Sequence, residues 1–256
     1  MINRVINVEN MTLFNENNNS VDKPSDLVKH KDSLLAQQAL NAKILFHGNK
    51  NNNMIPSATY VNDDNDFGSG FYTTPDYKAA CEWAFSDYSK GENGFVHSYE
   101  IDYGELHGID FTKEFTEVWV ATIIKHRFKL DKDVSAIVKE RTSNFTNRFA
   151  VDMKQYDFAI AYRADDNFYR YIADFVSADT SMECIKEAVH LGHLGIQVFF
   201  RGDKAIKMLN TGKHTCDFVD KKYKGLYKKT QEAANKQYEI LRDTKRPVNT
   251  MIYNYE

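Results

Sequence analysis

Apolar positions along the chain recur in two registers, and the changes between them mark out its elements. Ala42-Lys43-Ile44-Leu45-Phe46-His47-Gly48 is a compact apolar run that ends on a histidine and a glycine, which predicts a first strand. Phe71 to Thr74, aromatic and β-branched, predicts a second. Tyr77, Ala80, Cys81, Ala84, Phe85 and Tyr88 then repeat at spacings of three and four, the buried stripe of an amphipathic helix. Thr74-Pro75-Asp76 predicts how that helix opens, with Thr74 as N-cap, Pro75 at the first helical position and an acid in the first turn.

Further along, Gly94 to Ile101 predicts a strand and Phe115 to Phe128 a helix built around Trp119 and Ile123. Residues 129–155 are mixed and charged, read as a helical insert. Tyr156 to Arg163 alternates, with Tyr156, Phe158, Ile160 and Tyr162 on one face of a strand. A helix over 167–177 follows. Thr180-Ser181-Met182-Glu183 has the form of a capping box and predicts a helix to about Leu191. Gly195 to Arg201 predicts a strand, Asp203 the cap of a short helix to Leu209, and 214–219 a last strand before a helix over 222–243. Strands and helices are interspersed without the regular alternation of a parallel sheet, so the expected class is α+β.

Polar segments divide the chain into three: an asparagine-rich leader over 1–42 with a short helix around Asp32 to Ala42, a central domain over 43–220, and a basic helix and tail over 221–256. Residues 49–66 are turn-rich and lead into Phe67-Gly68-Ser69-Gly70-Phe71-Tyr72. Two glycines two apart allow a tight turn or a close backbone approach. A glycine turn, a strand and a capped helix within twenty residues form a natural ligand-binding corner.

Composition narrows the function classes. With 42% hydrophobic and 13% aromatic residues, the chain can build a sizeable core. A net charge of −3 gives no overall basic field for nucleic acid. No apolar run approaches the roughly 18–20 residues that cross a membrane, and Met1 to Asn10 lacks a secretory signal pattern, so a cytoplasmic setting, or delivery by a route needing no signal, is expected. Cys81, Cys184 and Cys216 are far apart, without metal-ligand spacing, and fit reduced, buried thiols; no metal site is expected.

Candidate chemistry lies on the strands. His47, Tyr72 and Gln197 are each polar or amphipathic in apolar surroundings. Gln197 is the sharpest signal, because an amide buried without partners costs roughly 1–3 kcal/mol. It needs either a backbone partner or a ligand. Asp165-Asp166, at a strand-to-helix transition, could act as a base or cap the following helix. Asp66, just before Phe67, could line the entrance to the corner but reads rather as part of a solvated acidic loop. The run Lys221-Lys222-Tyr223-Lys224-Gly225-Leu226-Tyr227-Lys228-Lys229 could bind nucleic acid or an acidic protein surface, but reads rather as a solvated helix face with two buried tyrosines that could help choose a target.

In order and kind, three segments resemble the NAD-binding motifs of the ADP-ribosyltransferase superfamily, in its diphtheria-toxin and poly(ADP-ribose) polymerase arm. The first is His47-Gly48, the second Phe67 to Tyr72 as Phe-Gly-x-Gly-x-Tyr, and the third the strand holding Gln197-Val198-Phe199-Phe200. Over about residues 43–210 the chain is most similar to a bacterial family of that superfamily catalogued as a domain of unknown function. The resemblance implies a split antiparallel β core surrounded by helices. It implies that His47 bonds a ribose hydroxyl of NAD, that the Gly48 backbone holds the carboxamide, and that Tyr72 stacks on the nicotinamide. Gly70, Phe71 and Thr73 would line the same contact, with Trp83 as a second aromatic wall over the cationic ring. Gln197 departs from the usual glutamate; it can position the ribose but carries no charge, which favours single transfer over polymer elongation.

The function so implied is mono-ADP-ribosyl transfer from NAD to a macromolecule, a protein rather than a nucleic acid, by a toxin, effector or defence protein that could have an immunity or antitoxin partner. Two other classes stay open: a non-catalytic NAD or ADP-ribose binding module, and a carboxylate hydrolase centred on Asp165 and Asp166.

Overall fold

A computed structural model describes residues 34, 36–59, 64–85, 93–113, 116–130, 133–164, 166–191, 195–244 and 250–255. Tyr88, Phe115 and Asp165, and the leader before residue 34, lie outside them. The class is α+β, with two sheets and helices packed on their outer faces. A helical segment over residues 36–41 precedes β1 (Ile44–Asn49).

The first sheet has the order β1-β3-β7, with β3 (Gly94–Glu100) antiparallel to both β1 and β7 (His214–Val219). The second has the order β2-β6-β5-β4. There β6 (Ile196–Phe200) runs antiparallel to β2 (Phe71–Thr73) and to β5 (Phe158–Tyr162), while β4 (Gly108–Asp110) is a parallel edge strand that the sequence pattern did not predict. The sheets meet at one isolated bridge, in which Phe46 and Thr74 exchange two backbone bonds of 2.8 Å.

Strands β5 and β6 are central and covered on both faces, so their alternation sorts side chains between two cores rather than between core and water. Ile196, Val198, Phe200, Phe158 and Ile160 join Leu45, Tyr99 and Leu209 in a core between the sheets and α6 (Gly202–Thr211). Phe199, Ala159 and Ala161 face the other way, toward α2 (Thr116–Arg127), α4 (Asp166–Val176) and α5 (Met182–Ala188). That larger core also takes Phe145 of α3 (Ala136–Phe149) and Tyr238 of α7 (Leu226–Thr244), so the C-terminal helix is packed into the domain. A third, small core lies under α1 (Tyr77–Trp83), where Ala80, Cys81 and Ala84 meet Val96 and Val219.

Several local expectations are corrected. Thr74 is not the cap of α1, because its backbone is taken by the bridge to Phe46 and its hydroxyl donates to the Ile196 carbonyl at 2.8 Å. Asp76 caps instead, accepting from the Lys78 and Ala79 amides at 2.9 and 3.3 Å. Ser181, not Thr180, caps α5, accepting from the Cys184 amide at 3.2 Å. The N-cap position of α6 falls to Arg201, without a side-chain bond, and Asp203 lies in the first turn. Cys81 and Cys184 are buried as expected, but Cys216 on the outer strand β7 is exposed.

Candidate active site

The glycine turn is closed by the tyrosine at its end. The Tyr72 hydroxyl accepts from the Phe67 amide at 3.0 Å and donates to the Gly68 carbonyl at 3.2 Å. Gly68 has φ of +83°, a conformation other residues adopt only with strain. At Gly70 the constraint is space: an added Cβ would lie 2.4 Å from the Phe200 carbonyl oxygen and 2.3 Å from the Phe199 ring. The Phe-Gly-x-Gly-x-Tyr spacing thus has a physical content, since the tyrosine reaches back exactly one turn only if both glycines are glycines. Burial, then the negative charge of Asp66, push the Tyr72 phenol well above its ordinary range, so it stays neutral. With its hydroxyl committed to backbone, what this half-buried side chain offers a ligand is its ring.

His47 is 6% exposed on β1 and stacks on Phe71 at 4.7 Å between ring centroids. Its Nδ1 lies 2.6 Å from the backbone carbonyl of Tyr72. A carbonyl only accepts, so Nδ1 carries the proton and Nε2 is left as the acceptor nitrogen of a neutral ring. Burial, assisted by neighbouring His97, lowers the His47 pKa to about 4 against the opposing bond to Tyr72. At neutral pH the ring is an acceptor suited to a hydroxyl donor.

Gln197 is 7% exposed. The register pairs Tyr72 with Phe199, and Gln197, two residues before Phe199, projects from the same face of the sheet. Its Nε2 donates to the Tyr162 carbonyl at 3.0 Å and to Asp66 Oδ2 at 2.8 Å. The amide therefore has the backbone partner its burial demands, and a carboxylate besides.

Asp66 is the residue that sequence reasoning misplaced. It is 5% exposed, not part of a solvated loop. Its Oδ1 accepts from Arg127 Nη1 at 2.7 Å and from the Tyr169 hydroxyl at 3.3 Å. The Arg127 guanidinium lies over the Tyr169 ring, 3.7 Å from its centroid. Arg127 and Tyr169 of this cluster, with Asp64 and Lys129, also line an open depression of about 350 Å³. Arg127 and Tyr169 come from α2 and α4 and carry no local motif. The one available signal was the buried glutamine, which required partners from somewhere.

The remaining candidates are distributed differently. Gly48 faces α1, and an added Cβ would lie 2.0 Å from the Ala80 carbonyl oxygen, so this glycine admits the helix. Phe71 is wholly buried in the core between the sheets, and the Thr73 hydroxyl donates to the Val198 carbonyl at 3.0 Å. Trp83 meets Tyr227 of α7 edge-on at 5.5 Å, and the Arg163 guanidinium lies 4.9 Å from its ring centroid. That pins the basic C-terminal run beside α1, with Tyr227 buried and Tyr223 partly so. Asp165 lies outside the described residues; Asp166 opens α4, and its side chain also lies outside them. Among the described residues no group of three or more histidine, cysteine or acidic side chains is arranged to hold a metal. No described helix is long and apolar enough to cross a membrane.

Residues 43–211 match the family described as "Protein of unknown function (DUF3990)", and the chain belongs to it. Neither a curated protein nor a solved structure matches the chain.

Proposed function

We propose that this member of a family of unknown function binds NAD at the junction of its two sheets and transfers ADP-ribose to a macromolecular target, releasing nicotinamide. What supports this best is a neutral histidine bonded to the backbone of Tyr72 where β1 meets β2, with a buried glutamine on the same sheet face as the tyrosine ring. His47 Nε2 accepts from a ribose hydroxyl. The Tyr72 ring faces the nicotinamide, whose positive charge favours an aromatic surface. Gln197 accepts a second ribose hydroxyl through Oε1.

The reaction breaks the bond between ribose C1′ and the nicotinamide nitrogen, and the bonding pair leaves with a now neutral nicotinamide. A bond from C1′ to the target nucleophile forms, and the nucleophile gives up its proton to solvent water. The intervening ribose is oxocarbenium-like, so positioning and charge placement carry the catalysis. A toxin, effector or defence role suits such chemistry, with a protein as the expected target. One observation favours a second reading, an NAD or ADP-ribose binding module without turnover: the amide at 197 brings no charge of its own.

Nicotinamide release by the purified protein, with and without cell lysate, separates the two. Release that needs lysate and labels a macromolecule supports transfer. NAD binding without release supports the module. Release that persists in folded Tyr72→Ala and His47→Ala variants overturns the site assignment.

A further inference from the structure

We infer that Asp66 is a positioning residue for Gln197, and that its carboxylate is why position 197 holds an amide rather than an acid. The inference rests on the NAD reading for the ligand, but its core is the hydrogen-bond inventory of one side chain. A primary amide has two N–H donors and one acceptor oxygen. Both donors of Gln197 are used, one by Asp66 Oδ2 at 2.8 Å and one by the Tyr162 carbonyl at 3.0 Å. Neither partner can donate, so the amide cannot be turned over: the nitrogen must face Asp66. Among the described residues Oε1 has no partner, and it becomes the one function Gln197 can present to a ribose hydroxyl.

The negative charge is present, one hydrogen bond further back. Asp66 holds it against Arg127 at 2.7 Å, with the Tyr169 hydroxyl at 3.3 Å. Gln197 thereby relays an anion as an oriented acceptor dipole. A carboxylate at 197 would instead face Asp66 and a carbonyl, three acceptors with no proton among them. Two carboxyl groups at that separation share a proton rather than both ionise. Among the described residues, the groups that face this pair are Arg127 from α2, Tyr169 from α4 and Tyr72 from β2, whose phenol stays neutral and in turn feels the charge of Arg201.

The test compares wild type, Q197E, D66N and the double variant D66N/Q197E, using nicotinamide release from NAD and urea melts, each as a function of pH. Q197E should lose activity at least about tenfold at the alkaline end and regain it toward acid as the carboxyl pair takes up its proton. D66N should lower turnover more than it raises the KM for NAD. The double variant, with one amide and one acid restored, should recover at least about tenfold over the product of the single losses, a coupling typical of residues in direct contact. Q197E with a wild-type pH profile, or a double variant no better than the product of the singles, overturns the inference. The melts read the same pair without NAD: Q197E should lose stability from about pH 5 to pH 8 relative to wild type, and D66N/Q197E should not. Coupled melts in a protein that neither binds nor turns over NAD would refute the NAD reading and the ligand-presenting role while leaving the Asp66–Gln197 pairing standing. Uncoupled melts in an active enzyme would refute the pairing alone.

Discussion

His47 on one sheet donates its Nδ1–H to the Tyr72 carbonyl on the other across 2.6 Å, next to the backbone bridge between Phe46 and Thr74. Two of the three residues proposed to hold NAD are thus fixed to each other by contacts that join the sheets. A change to the His47 ring at this point therefore bears on site geometry and on the joining of the sheets together.

Acid should therefore weaken the fold through His47. Its pKa is about 4 in the folded protein, against 6.5 for an exposed imidazole. As pH falls through 6.5 the unfolded chain takes up a proton that the folded one refuses, so stability is present above that range and lost toward pH 4. The full effect is on the order of 3 kcal/mol, and His97, also lowered by burial, adds in the same direction. Urea unfolding across this range should show a steep loss for wild type and a shallower one for His47→Gln. Identical slopes would contradict the assignment.

The two glycines of the turn should fail for different reasons. Gly68→Ala places a side chain on a left-handed backbone at φ +83° and should cost about 1 kcal/mol through that conformation. Gly70→Ala drives a methyl into the Phe200 carbonyl oxygen and the Phe199 ring, and backbone cannot step aside as a side chain can. Overpacking of that kind costs about 1–3 kcal/mol. Thermal melts should rank Gly70→Ala as the less stable variant; the reverse order would mean that the turn relaxes.

Ring and hydroxyl of Tyr72 are separable. Tyr72→Phe strands the Phe67 amide and should cost about 1–3 kcal/mol of stability, while keeping the ring and hence most of the NAD affinity. Tyr72→Ala should abolish detectable NAD binding. Calorimetric titration of both variants checks this, and equal loss in the two would assign the hydroxyl a direct part in the ligand contact.

Thiol labelling should distinguish the cysteines cleanly. Cys81 and Cys184 are buried and Cys216 is exposed, so a single equivalent of reagent should be taken up by the native protein. Partial burial and the Asp217 charge raise the Cys216 pKa, so labelling should be slow near neutrality and accelerate with alkali. Loss of the signal in Cys216→Ser identifies the site.

Most elements were legible because they depend on local periodicity. The three-and-four repeat predicts α1, where Ala80, Cys81 and Ala84 are buried as expected but Tyr77, at its first turn, is exposed, and the run from Gly195 to Arg201 predicts β6, found over Ile196–Phe200. What local pattern cannot carry is long-range competition for a group. Thr74 has the form of a helix cap, yet its backbone and hydroxyl are claimed by β1 and β6, and Asp76 takes over. β4 is three residues long and exists through its neighbour β5, without a pattern of its own. The same holds at the site. The segments bearing His47, Tyr72 and Gln197 could be found from composition and spacing, but Arg127 and Tyr169 reach Asp66 across 61 and 103 residues of chain.

The bond between Asp66 and Gln197 also constrains the order in which sequences of this kind can change. An acid introduced first at 197 would pass through a buried pair of carboxyl groups that cannot both ionise, whereas a neutral residue introduced first at 66 would not. Histories that run from glutamine to glutamate at this strand should therefore pass through loss of the acid before the glycine turn. Positions 66 and 197 should drift as a pair, in a fixed sequence of steps.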